Sequence, residues 1–252
     1  MKAPGRQVTV VTGGSRGIGA ATVLRLAGDG HDLVLCYRTD SSAAAEVVAQ
    51  ARQAGVRCLA IRADVTQPAD VEELFGSTLA QFGAVTGLVN NAGVTAHIGD
   101  LADTPVEVIR RVIDVNLLGT VLCARRAAQL MSLSRGGTGG AIVNVSSAGA
   151  TLGSPHEYVH YAAAKMAVNT LTVGLAKELA DQGIRVNAVA PGLVDTEIHA
   201  GAGDPDRPAR FVSRVPLGRA AQADEIAPAI AWLFTPAAGY VTGAVIRVAG
   251  GL

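Results

Sequence analysis

Short runs rich in β-branched residues alternate with longer amphipathic segments from one end of the chain to the other. That order is the signature of repeated βαβ units, and it constrains the fold more than any single motif does. The runs Gln7–Thr12, Asp32–Tyr37, Val56–Ile61, Gly87–Asn90, Ala141–Ser146, Arg185–Ala190 and Ala244–Val248 read as strands. Helical stretches lie between them near Gly17–Gly28, Ser42–Ala54, Pro68–Phe82, Pro105–Ser134, Tyr158–Asp181 and Ala223–Phe234. Seven strands and six main helices predict an α/β fold over residues 1–252, with a doubly wound, parallel, seven-stranded sheet and helices on both faces in one domain. The composition agrees: 49% of residues are hydrophobic but only 4% aromatic, so Ala, Val, Leu and Ile build the core.

Several boundaries have a chemical cause. Pro68 suits the first turn of its helix, where a missing N–H costs nothing, and Thr66 is placed to cap it. Gly55 and Gly183 are placed to end helices in the left-handed conformation. Arg135–Gly140 is glycine-rich and reads as a flexible connection. The irregular piece from Leu193 to Arg219 exceeds ordinary loop length, and loops of that kind are usually functional. It is the candidate substrate lid, about 193–219.

Lys+Arg and Asp+Glu both number 21, so no charge excess points to nucleic acid or to an anionic membrane. Cys36, Cys58 and Cys123 sit in apolar stretches without CxxC or Cys/His spacing, and read as reduced core thiols. No apolar run approaches the roughly 20 residues that span a bilayer, and the polar start Met1–Gln7 offers no room for a signal peptide. A cytoplasmic location is the expectation.

Three features carry chemistry. Thr12-Gly13-Gly14-Ser15-Arg16-Gly17-Ile18-Gly19 links the first strand to the first helix, the setting in which backbone N–H groups and a helix N-terminus receive a pyrophosphate. At the tip of the second strand, Tyr37-Arg38, there is no carboxylate for a ribose diol; Arg38 and Arg16 could instead clamp a 2′-phosphate, which favours NADP(H) over NAD(H). Tyr161-Ala162-Ala163-Ala164-Lys165 puts a phenol and an ammonium on one helix face. Lysine occurs only at positions 2, 165 and 177, so the pairing is informative. A nearby cation lowers a tyrosine pKa toward that of a working acid/base. Tyr158 has Ala162 at the matching offset and reads as packing or pocket wall. Ser147 follows the fifth strand at its carboxyl edge, and Asn90-Asn91-Ala92-Gly93 follows the fourth.

Together TGGSRGIG at 12–19, NNAG at 90–93, Asn116, Ser147, YAAAK at 161–165 and PG at 191–192 resemble the short-chain dehydrogenase/reductase set, in order and over the whole chain. The resemblance implies a Rossmann-type fold and a catalytic tetrad. Tyr161 would donate or accept the proton, Ser147 orient the substrate oxygen, Lys165 hold the ribose and tune Tyr161, and Asn116 support a proton-relay water. It also implies a cofactor groove lined by Gly13, Ser15, Arg16, Gly17, Ile18, Gly19, Tyr37, Arg38, Asp64, Val65, Asn90, Ala92, Gly93, Tyr161, Lys165, Pro191, Gly192, Val194 and Thr196. Asp64-Val65 would hold the adenine and Thr196 the carboxamide.

The chain resembles 3-oxoacyl-acyl-carrier-protein-reductase-like and glucose-dehydrogenase-like bacterial members. The expected substrate is therefore a small or acyl carbonyl or secondary alcohol, with a sugar as the alternative substrate and a catalytically silent NAD(P)-binding sensor or scaffold as the alternative function. One departure stands out: Ser147 lies 14 residues before Tyr161, one more than in the fatty-acid reductases, with the extra residue within Gly153–His160. His97, His156, His160 and His199 read as solvated loop residues without metal-ligand spacing, so no metal is expected. The Ala-rich helices at 105–134 and 158–181 are apolar on more than one face, which suggests a homo-oligomer; the resemblance implies a tetramer, with the C-terminal strand near a neighbouring subunit.

Overall fold

The computed structural model describes residues 6–252; of the polar start Met1–Gln7, residues 1–5 lie outside those described. Its strands are β1 (Val8–Thr12), β2 (Asp32–Tyr37), β3 (Cys58–Arg62), β4 (Gly87–Asn90), β5 (Gly140–Val145), β6 (Ile184–Pro191) and β7 (Val245–Val248). They form a parallel seven-stranded sheet in the order β3-β2-β1-β4-β5-β6-β7. The order reverses between β1 and β4, so the connections leave in opposite directions and a crevice opens beyond the carboxyl ends of these strands.

The α-helices are α1 (Gly17–Gly28), α2 (Ser41–Gln53), α3 (Pro68–Phe82), α4 (Val106–Ile113), α5 (Gly119–Met131), α6 (Gly149–Leu152), α7 (Val159–Glu178), α8 (Ile198–Gly201), α9 (Arg207–Phe211) and α10 (Ala223–Trp232). Alternation along the strands splits the core in two. Val11, Leu33, Leu35, Val89, Val143 and Val189 face one way, against residues of α1, α2 and α10. Val10, Val34, Leu88, Ile142 and Val186 face the other way, against α3, α5 and α7. Both faces are covered, as a parallel sheet requires.

The predicted strands are all present, with ends shifted by a residue or two. Gly55 (φ +76°) and Gly183 (φ +72°) do take the left-handed conformation at helix ends. Thr66 does not cap α3: Gln67 occupies that position, while the Thr66 amide and hydroxyl donate to Asp64 Oδ1 at 3.0 and 2.8 Å. The predicted helix Pro105–Ser134 is interrupted by a π-helical turn at Asp114–Leu118 between α4 and α5, and ends in a 3₁₀ turn at Leu133–Arg135. Hydrophobic periodicity carries no signal for so local a widening. The segment at Tyr158–Asp181 likewise tightens into a 3₁₀ turn at Ala180–Gln182 after α7. Cys36, Cys58 and Cys123 are buried and free; burial pushes the first two up to about 11.

Candidate active site

The glycine turn is shaped by what it must avoid. Gly13 has φ +61°, and a Cβ on Gly19 would lie 2.2 Å from the Gly13 carbonyl oxygen, so α1 packs against its own entry loop only with glycine there. The α1 N-terminus has no side-chain cap and no acid in its first turn. Its free N–H groups and positive dipole end therefore face a cavity of about 510 Å³ along the carboxyl edge of the sheet. This is the cradle a pyrophosphate needs, and the lining glycines leave room for backbone approach.

One end of the cavity is arginine-rich. Arg16, Tyr37, Arg38, Asp64, Val65 and Arg111 line it. The Asp64 carboxylate stands 3.6 Å from Arg111 and 4.0 Å from Arg38. Partial burial would raise the Asp64 pKa, but the Thr66 donors and these two guanidinium groups outweigh it and hold the carboxyl below its ordinary value. Arg111, which no local motif marks in the sequence, reaches the cavity from α4.

At the other end, α7 places Tyr161 and Lys165 one turn apart beside Ser147. Burial pushes the Tyr161 phenol up to about 12, partly offset by the Ser147 hydroxyl and the Arg207 guanidinium. Burial brings Lys165 down to about 8. The Lys165 ammonium donates to the Val145 carbonyl at 2.8 Å. In the protein alone, desolvation of the phenol outweighs the donors beside it. Tyr158 packs edge-on against Tyr161, with ring centres 5.3 Å apart, and forms pocket wall as expected.

Of the sequence-predicted residues, Gly19, Asn90 and Asn116 do not line the cavity. Gly19 sits behind the loop it supports. Asn90 Nδ2 donates to Asn144 Oδ1 at 2.9 Å and Asn144 Nδ2 to Thr172 Oγ1 at 2.9 Å, a buried chain joining β4, β5 and α7. Its neighbour Asn91 takes the groove position and donates to the carbonyls of Thr12 and Gly13, both at 3.0 Å. Asn116 is fully buried in the π-helical turn; its amide donates to Val94 O at 2.7 Å and Val112 O at 2.8 Å. It reaches the site through Gly93, where a Cβ would meet Asn116 Oδ1 at 2.8 Å and Lys165 Nζ at 3.5 Å.

The segment at 193–219 carries α8, α9 and a 3₁₀ turn at Val212–Arg214. Its base is pinned by a short parallel pairing of Val194 with Ala221. It contributes Thr196, Ile198, His199, Gly201 and Arg207 to the wall. The histidines differ from expectation: His160 and His199 are buried, 6% and 7% exposed, and burial lowers the pKa of each. His199 Nε2 donates to Val194 O at 2.9 Å. Among the described residues no group of three His, Cys, Asp or Glu is placed to hold a metal, and no helix is long and apolar enough to cross a membrane.

The profile described as Enoyl-(Acyl carrier protein) reductase matches residues 13–252. A solved short-chain dehydrogenase from Burkholderia cenocepacia J2315, in complex with NADP, superposes with a TM-score of 0.89 at 33% identity and covers 97% of each chain. The chain belongs to the short-chain dehydrogenase/reductase family. Among short-chain dehydrogenases/reductases and other oxidoreductases, it is 46% identical over 244 residues to the uncharacterized oxidoreductase YgfF of Escherichia coli (strain K12), covering 97% of this chain and 99% of that one. It is 43% identical over 246 residues to the cis-4-hydroxycyclohexanecarboxylate dehydrogenase of Sinomonas cyclohexanicum, covering 97% and 96%. This short-chain dehydrogenase/reductase thus joins a family of oxidoreductases that interconvert alcohols and carbonyls, and its relatives and its Rossmann-like sheet agree with the resemblance carried by its motifs.

Proposed function

We propose that the chain is an NADP(H)-dependent carbonyl reductase and alcohol dehydrogenase, with Tyr161 as its acid/base. The observation that carries this reading is one continuous cavity whose far ends have opposite chemistry: Arg16 and Arg38 at one, and Ser147, Tyr161 and Lys165 at the other. A dinucleotide is the cofactor shape that spans both. NADP in the Burkholderia relative supports the choice of cofactor.

Bound, the cofactor supplies or accepts a hydride at its nicotinamide ring. Everything else falls to side chains. Ser147 and Tyr161 hold the substrate oxygen, and the Tyr161 hydroxyl delivers the proton on reduction or takes it on oxidation. Lys165, anchored by Val145 O, sets the depth of the ribose and keeps a positive charge under the phenol. Asn116, through Gly93 and Val94, fixes the loop that forms the floor. Arg16 and Arg38 supply charge-assisted donors for a 2′-phosphate, and Asp64 keeps Arg38 aimed at the groove.

We take residues 1–252 as one unit with 193–219 as its lid, working in the cytoplasm. Half-exposed apolar side chains repeat along α7 at Val159, Met166 and Val173, and further along the chain Trp232 and Val245 are half-exposed and Tyr240 fully exposed. Apolar surface of this kind suits the contacts of a homotetramer.

The test is a parallel titration with NADPH and NADH, followed by NADPH oxidation against oxo acids, simple ketones, acyl thioesters, an enoyl thioester and oxidised sugars. Tight NADPH binding with turnover of a carbonyl supports the reading. NADH preference overturns the cofactor assignment, and cofactor binding with no turnover across the panel overturns the enzyme in favour of a sensor or scaffold.

A further inference from the structure

The substrate end of the cavity holds a charge that the proposed chemistry does not use. Arg207, the first residue of α9 in the lid, reaches back over the pocket wall with only 11% of its side chain exposed. Its guanidinium carbon lies 5.1 Å above the Tyr158 ring and 4.5 Å from the Phe211 ring. Nε and Nη2 donate to the two carboxylate oxygens of Glu157 at 3.3 and 2.8 Å. That fork uses one edge of the guanidinium. The Nη1 edge takes no part in it, although a desolvated guanidinium has five N–H groups to satisfy.

Glu157 is held in place independently. Its carbonyl accepts from the Gly99 amide at 2.8 Å, and the neighbouring Ser154 and His156 adopt φ of +48° and +61°, conformations costly for residues with a Cβ. These strained residues lie within Gly153–His160, the stretch with one residue more than the fatty-acid reductases. The extra residue thus sits in a loop whose packing fixes Glu157, and Glu157 fixes Arg207.

Which charge the substrate meets follows from the lining. Arg207 lines the cavity and Glu157 does not. Arg16, Arg38, Asp64 and Arg111 belong to the far, arginine-rich end. Glu197 lies by the glycine turn, 3.7 Å from where a Gly17 Cβ would be. Lys165 is committed to Val145 O. Among the described residues Arg207 is therefore the one formal charge on the substrate side of Tyr161, clamped by aromatic rings and presenting donors only.

We infer that Arg207 anchors a carboxylate carried by the substrate at a position remote from its reacting carbonyl or hydroxyl group. This deepens the carbonyl-reductase reading and rests on it. A guanidinium bridging two carboxylates is satisfied on both edges, and the arrangement favours a charged planar acceptor over a neutral one. Remote binding of this kind orients the reacting carbon toward Ser147 and Tyr161. The carboxylate in the name of the Sinomonas relative's substrate is of the same chemical class.

The test compares 4-oxocyclohexanecarboxylate, 4-oxopentanoate and 3-oxobutanoate with their methyl esters, in wild type and in Arg207→Leu, Arg207→Lys and Glu157→Gln. Cyclohexanecarboxylate serves as a non-reducible competitor. The wild type should favour at least one acid over its ester by about tenfold or more in kcat/KM, expressed in KM, and cyclohexanecarboxylate should compete. Arg207→Leu should bring the acid-to-ester ratio to about one and abolish competition, and Arg207→Lys should keep part of the preference. Glu157→Gln leaves one acceptor for the guanidinium in place of two and should weaken the preference without abolishing it, the loss falling on the acids rather than the esters. A wild type indifferent to the carboxylate overturns the inference, as does a preference that survives Arg207→Leu. So does equal damage to acid and ester in both Arg207→Leu and Glu157→Gln, which would make the pair a lid latch only. If esters and simple ketones turn over while acids do not, the carboxylate anchor alone fails; if cofactor binds and no carbonyl turns over at all, the underlying reading fails with it.

Discussion

The ammonium of Lys165 stands 5.7 Å from the centre of the Tyr161 ring, one helical turn along α7. Both groups are buried, and burial acts on them in opposite directions: it raises the phenol to about 12 and lowers the amine to about 8. Each group is thereby pushed toward its neutral form, so the protein alone stabilises neither phenolate nor ammonium at this spot.

Burying the Lys165 amine costs stability. Its pKa falls from 10.5 unfolded to about 8 folded, so below that value the native state carries a buried charge that costs about 3 kcal/mol. The cost fades as pH rises from about 8 toward 10.5, where the unfolded chain also loses its proton. Lys165→Met removes the cost and orphans the Val145 carbonyl, worth about 1 kcal/mol. The larger effect wins. The variant should be inactive yet melt a few degrees higher than wild type at neutral pH, with the gap narrowing toward about pH 9.5. Thermal melts across that range check it; a lower Tm at pH 7 would mean that the amine's hydrogen bond outweighs its desolvation.

Direction should matter to the pH profile. With Tyr161 as the proposed acid/base, alcohol oxidation calls for the phenolate, and a phenol held above its ordinary value gains phenolate as pH rises. Oxidation kcat/KM should climb from about pH 7 to about pH 9, while carbonyl reduction, which needs the protonated phenol, should stay level or fall. Initial rates in both directions decide this, and an oxidation rate that drops over the same range contradicts it.

Arg16 and Arg38 line the cavity's basic end. Alanine at both should cut the ratio of NADPH to NADH affinity by about tenfold to a hundredfold, mainly through weaker NADPH binding. Fluorescence titration of each cofactor reads it directly. An unchanged ratio would reduce the two arginines to ordinary surface charges.

Gly19 tests the packing behind the cradle. A methyl group there would press on the Gly13 carbonyl, which is backbone and cannot swing away. Gly19→Ala should lose about 1–3 kcal/mol of stability and bind cofactor more weakly, although Gly19 itself does not line the cavity. Denaturant melts with and without NADPH separate the two effects.

Much of this was legible in the chain itself. The β-branched runs mark all seven strands because a parallel sheet buries both of its faces, as Val10 and Val11 illustrate on opposite sides of β1. The glycine turn and YAAAK are local patterns whose geometry is fixed within a few residues. What escaped detection depends on distant parts meeting. The π-helical turn at Asp114–Leu118 is stabilised by Asn116 reaching Val94. Arg111 enters the cavity from α4, and within the lid read at 193–219 only packing on Glu157, Tyr158 and Phe211 decides that Arg207 turns inward. His160 and His199 lie in segments whose polarity suggests solvent, yet tertiary packing covers both. Asn90 and Asn91 are adjacent, but Asn90 ends β4 with its side chain buried against Asn144, while Asn91 lies just beyond the strand and turns to the Thr12 and Gly13 carbonyls.

Tyr161→Phe, measured for kcat on any turned-over carbonyl and for NADPH affinity by titration, bears most directly on Tyr161 as the proton donor. The substitution removes one oxygen from a buried ring. Turnover should fall about a thousandfold or more, with NADPH still bound at an affinity within a few-fold of wild type. Near-normal kcat would contradict that role and move the proton to another group.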